Sequence, residues 1–172
     1  VVDKVMEDPG ESGLELTDKV YVFVESGAVN VGLLAKVSSA GKLEKLLKAL
    51  GESDGTLSLK KAGSCTYSML GNGIVAYTDK AFLVLLDQGS GTDLIHTVQM
   101  MLRQKEAESF ASTPDFKELE KTKGDILSYF SLSVLPSEYK MAMTMGMPSD
   151  INLSEVKMLA SVSFEKGKML FD

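Results

Sequence analysis

Two stretches of this chain follow one order: a pair of β-branched or aromatic runs, then a helix with a single apolar face. Lys19 to Glu25 and Val29 to Val37 are strand-forming runs separated by Ser26-Gly27, the composition of a hairpin. Leu43, Leu46, Leu47 and Leu50 then recur at i, i+3, i+4 and i+7, with Ser38-Ser39 as the cap and Gly51 as the expected stop. Gly73 to Thr78 and Lys80 to Asp87 repeat the strand pair. Leu94, Ile95, Val98, Met101 and Leu102 repeat the helix, behind Gly89-Ser90-Gly91 and a Thr92 cap. Residues 19–50 and 73–105 thus make a weak internal repeat of strand, strand and helix with little residue identity. Such a chain is committed to antiparallel pairing, because links of one to three residues cannot join parallel strands.

The rest extends the pattern. Val1, Val2, Val5 and Met6 have the spacing of a helix stopped by Pro9-Gly10. Thr56 to Lys61 and Cys65 to Leu70 complete a four-strand meander with the later pair. Thr113-Pro114-Asp115 is a cap followed by proline at the first helical position, opening a helix that carries Phe116 and Leu119 and ends near Gly124. Ile126 to Val134 returns to strand chemistry. Pro136 starts a short helix to about Met145, and Glu155 to Phe164 with Lys168 to Phe171 form a closing hairpin around Glu165-Lys166-Gly167.

At 172 residues one core is expected, so residues 1–172 read as a single α+β domain. Its fold is expected to be a curved antiparallel β-sheet built from hairpins, with amphipathic helices packed mainly on one face. The chain opens at Val1 without an initiator methionine and closes at Phe171-Asp172 inside an apparent strand, so it reads as a fragment of something longer, and any leader would lie upstream.

Charge and chemistry narrow the function. A net charge of −6 repels polyanions, and Arg103 is the only arginine, which leaves no set of bidentate forks for phosphates or guanines. Nucleic acid is not an expected partner, nor is an anionic membrane surface. The longest apolar runs, such as Ala81 to Leu86, are too short to span a bilayer as a helix.

Cys65 is the sole cysteine, which excludes an internal disulfide. Its strand-like setting points to a structural thiol. His96 is the only histidine and shares a helix face with Gln99 and Arg103, opposite Leu94, Val98 and Met101, as a solvated residue would. There is no Gly-x-Ser-x-Gly elbow and no His-Glu-x-x-His helix. Gly89-Ser90-Gly91-Thr92-Asp93 lacks the Lys-Ser/Thr ending of a phosphate loop and reads as a helix start. Asp8, Glu11, Glu15 and Asp18, and separately Glu52 and Asp54 beside Gly55, lack the alternating ligand set of a calcium loop. Met141, Met143, Met145 and Met147 would offer thioethers to Cu(I) only if extended; as a helix they pair at i, i+4 and suit packing or an apolar partner. No catalytic, cofactor-binding or metal-binding residue is assigned, and no cofactor is expected.

Lys19-Val-Tyr-Val-Phe-Val-Glu25, Val31-Gly-Leu-Leu-Ala-Lys-Val37 and Lys42-Leu-Glu-Lys-Leu-Leu47, with the closing Ser163-Phe-Glu-Lys-Gly-Lys-Met169, resemble a domain of unknown function in large cell-envelope lipoproteins of Bacteroidetes. The resemblance implies a secreted precursor anchored by lipid on an N-terminal cysteine, facing the periplasm or exterior. Cys65 has no apolar segment before it and does not match a lipobox, so the anchor would lie upstream. The resemblance supplies no activity and no site residues. The expected function is that of a non-catalytic envelope module acting through protein binding or assembly. The alternative is a carrier for an apolar ligand, motivated by ten methionines, and an enzyme is the remaining class. The expected partner is an unknown protein or apolar ligand, with contact to a membrane only through the upstream anchor.

Overall fold

The structure is a computed structural model and describes residues 1–24, 30–89, 91, 93–134, 152 and 155–171. It divides into two compact units, Val1–Arg103 and Gln104–Asp172. Among the described residues the chain is α+β and every strand pairing is antiparallel, as the hairpin pattern predicts. The strands are shared between two sheets, whereas the sequence reading anticipates one. Hairpin chemistry fixes which neighbours pair but not which hairpins join.

In the first unit a short helix α1 (Val2–Glu7) stops at Pro9, and strands β1 (Tyr21–Val24) and β2 (Val31–Lys36) pair antiparallel. Helix α2 (Ala40–Asp54) follows. Its N-cap is Ser39, whose side chain accepts a bond from the Lys42 amide, and Gly55 ends it with φ +69°. The expected stop at Gly51 is therefore one turn early. Gly51 sits inside the helix, and a Cβ there would stand 2.5 Å from the Leu57 carbonyl oxygen. The glycine serves close approach of the returning chain, not termination. Strands β3 (Lys60–Ala62), β4 (Cys65–Leu70), β5 (Gly73–Tyr77) and β6 (Ala81–Leu86) then run as the expected meander, although β3 begins only at Lys60. Helix α3 (Leu94–Arg103) closes the unit.

The six strands lie in the order β1-β2-β6-β5-β4-β3. Helix α2 carries the chain from β2 to the far edge, and the meander returns until β6 pairs with β2. The second strands of the two strand-strand-helix segments thus meet at the centre, Leu33 opposite Val84 and Leu34 opposite Leu83.

The two helices cover opposite faces of this sheet, which corrects the expectation of helices mainly on one face. Leu43 and Leu47 of α2 are buried with Val75, Tyr77 and Phe82. Leu94 and Val98 of α3 are buried with Ile74, Ala76, Leu83 and Leu85, the alternate residues of the same strands. Every residue of β5 is buried. An unbroken apolar run such as Gly73-Ile-Val-Ala-Tyr77 suits a strand covered on both sides. On β1 only Phe23 packs inward, on the α3 face, while Val22 and Val24 stay exposed.

In the second unit, helix α4 (Pro114–Lys121) starts as expected: the Thr113 side chain accepts from the Phe116 amide, and Pro114 needs no partner. Strands β7 (Ile126–Ser131), β8 (Lys157–Glu165) and β9 (Lys168–Phe171) form the second sheet in that order. β7 is shorter than predicted because Leu132–Val134 turn into a tight 3-10 helix. The expected turn at Lys166-Gly167 is present, with Gly167 at φ +80°. The helix expected from Pro136 to Met145, and with it Met141 to Met147, lies outside the described residues, as does the Thr92 cap.

Candidate interaction surface

Among the described residues, the side chains that sequence reasoning singled out are dispersed, except that Cys65 and Gln99 meet at one carbonyl. Cys65 is buried in β4, and its thiol donates to the Ala62 carbonyl at 3.2 Å. Gln99 Nε2 donates to the same carbonyl at 3.2 Å. His96 is exposed on α3, and its backbone amide is capped by Asp93 Oδ1 at 3.1 Å. Glu11 pairs with Lys42 at 2.6 Å and Asp18 with Lys36 at 3.1 Å, while Asp8 accepts from the Gly10 amide. These acids serve separate local contacts. Among the described residues, no three His, Cys, Asp or Glu side chains are placed to hold a metal.

Asp87, which the sequence reading passed over, accepts from the amides of Gly89 and Gly91 at 3.1 and 3.2 Å. Those amides close a loop on a carboxylate of the chain itself. Two shallow clefts of the first unit hold about 230 and 300 Å³. One is rimmed by Asp18, Lys19, Lys36 and Lys80, the other by Lys4, Glu11, Lys42 and Lys45, and no methionine is among the described residues that line them.

The second unit presents a surface of a different kind. In its sheet, directly paired residues share a face, so the register sorts the side chains into two sets. One set contains Leu127, Tyr129, Ser131, Lys157, Ser161 and Ser163, and α4 is tied to it. The Tyr129 hydroxyl donates to Asp115 Oδ2 at 2.9 Å, and the Lys157 ammonium donates to Asp115 Oδ1 at 2.6 Å. Phe110 stacks against Phe116 edge-on at 5.6 Å and against Tyr129 at 5.1 Å. The Lys157 ammonium, then the Tyr129 hydroxyl, hold the Asp115 carboxyl below the usual carboxylate range. Asp115 in turn raises Lys157, and burial followed by the nearby carboxylate raises Tyr129.

The other set forms an open face. Phe130 stands opposite Met158, Ser128 opposite Ala160, Ile126 opposite Val162 and Val162 opposite Phe171, with Phe164 opposite Met169. Ser128 is its only polar member. Lys157, Glu165 and Lys168 all point to the α4 side, so no charge of these strands interrupts it. Phe171 is 71% exposed, Met158 58% and Phe164 55%. Exposed apolar residues are ordinary when scattered; gathered on one uncharged sheet face they mark a surface that excludes water when something covers it.

Among the described residues no helix is long and apolar enough to cross a membrane, a statement that does not concern membrane-spanning strands. Neither a curated protein nor a solved structure shows significant similarity to the chain. A family model covers residues 1–172 in full, and the chain belongs to that family, the domain of unknown function DUF4836.

Proposed function

We propose that this chain is a non-catalytic binding or assembly module of the cell envelope, and that it engages a protein partner through the open face of the β7-β8-β9 sheet. The observation that carries the reading is the uncharged row pattern of Phe130, Met158, Phe164, Met169 and Phe171 on one face. Covering such side chains is favourable by roughly 25 cal/mol per Å² of apolar area, with no charged side chain of these strands among them. The dispersed positions of Cys65, His96 and the acidic residues support a binding role over catalysis. The envelope location rests on the resemblance of Lys19 to Glu25, Val31 to Val37 and the closing Ser163 to Met169 to envelope lipoproteins, with lipid attached upstream.

The test uses the full-length protein in its own host. Phe164→Lys and Met158→Lys are introduced separately, and membranes are extracted gently for native electrophoresis. The wild type is expected to migrate in an assembly larger than its own mass, and each variant to leave it. Unchanged mobility of both variants would contradict the reading. An apolar carrier is the second reading, favoured by the same face: a bound lipid-sized mass that is lost on denaturation, with the protein otherwise alone, would replace assembly by carriage. Incorporation of a labelled fatty acid into the full-length protein checks the anchor, and its absence together with a cytoplasmic location would remove the envelope from the proposal.

A further inference from the structure

The open face has the area and chemistry of a surface that pairs with itself. We infer that its occupant is a second copy of this chain, the two β7-β8-β9 sheets stacking face to face in an isologous dimer. The inference rests on the assembly reading above and specifies its partner.

Area is the first argument. Taking ~200 Å² for a whole aromatic or methionine side chain, the exposed fractions of Ile126, Phe130, Met158, Phe164, Met169 and Phe171 leave on the order of 600 Å² of apolar surface. That is close to the ~800 Å² per partner of a standard interface, and it stands at or above the largest apolar patch of a typical monomer.

Charge is the second. In an isologous contact residue i meets residue j and j meets i, so a patch that carries one sign of charge is forced against the same sign in its copy. That repulsion acts on any patch that shares the excess negative charge of a chain of net charge −6. The open face escapes it because its strands send their charged residues to the other side.

Relief is the third. The small pair Ser128 and Ala160 lies between the bulky pair Phe130 and Met158 and the row Ile126, Val162 and Phe171. Two such surfaces can interlock with their sheets ~10 Å apart, the spacing of sandwich packing.

Sedimentation velocity of the purified full-length protein over a thousandfold concentration range tests the inference. The expected result is a monomer–dimer equilibrium whose dissociation constant rises about tenfold or more in Phe164→Lys and again in Met158→Lys, while Lys117→Glu on exposed α4 leaves it unchanged. Far-UV circular dichroism confirms that each variant keeps its fold, and Phe171→Lys replaces any that does not. A wild type that stays monomeric, or a dimer indifferent to these substitutions, overturns the inference. If the purified protein is monomeric but its assembly in host membranes still depends on Phe164 and Met158, the second copy is wrong and the assembly reading stands. If neither depends on them, both fall.

Discussion

The far end of the Phe23 ring on β1 occupies the space that a side chain would need at Gly32, its cross-strand partner on β2. Phe23 is packed against the α3-side core, and it is the only β1 residue so placed. The glycine thus lets an edge strand anchor itself by one aromatic ring.

Gly32→Ala is accordingly expected to destabilise the protein by about 1–3 kcal/mol, the usual cost of forcing extra volume into a packed site. Urea unfolding followed by circular dichroism measures it. An unchanged midpoint would mean that the ring does not occupy this position.

Gly51 provides a test of opposite sign to helix propensity. Alanine is the better helix former by roughly 1 kcal/mol, yet a methyl at position 51 meets the Leu57 carbonyl oxygen at 2.5 Å. Gly51→Ala should therefore lower stability. A gain of about 1 kcal/mol would show that α2 does not continue past this residue against the returning chain.

The Asp115 contacts set a pH dependence. Its folded carboxyl titrates below its ordinary value, so its contribution is fully present above the unfolded pKa and is lost as pH falls through the lowered folded one. Lys157 is raised, so its share holds below the ordinary lysine range and is lost as pH rises through the folded value. Asp115→Asn is expected to lower the unfolding midpoint at neutral pH, and the gap from wild type should close on strong acidification. A gap independent of pH would mean the carboxylate does not carry the effect.

Much of this fold was legible in the chain. Leu43 and Leu47 face the core as their spacing predicts, Thr113-Pro114 opens α4, Cys65 to Leu70 is β4, and Lys166-Gly167 turns the last hairpin. What sequence could not supply was the side from which each strand is covered. Ile74 to Tyr77 and Phe82 to Leu86 carry a usable signal, since two apolar faces in succession call for two covering layers. Phe164, Met169 and Phe171 carry none: an apolar row reads the same whether it is buried within one chain or left open. Asp87 was missed for a simpler reason, because a carboxylate two residues before a glycine loop looks like any solvated turn charge.

The open face is tested most directly by a photo-cross-linking scan along β8 in the full-length protein within its host. A photoreactive residue is placed at each position from Lys157 to Glu165 in turn. If the face is an interface, protein adducts form from Met158, Ala160, Val162 and Phe164 and fall away at Lys157, Leu159, Ser163 and Glu165, a period of two along the strand. Adducts without that alternation, or none above background at Met158 and Phe164, would contradict the account.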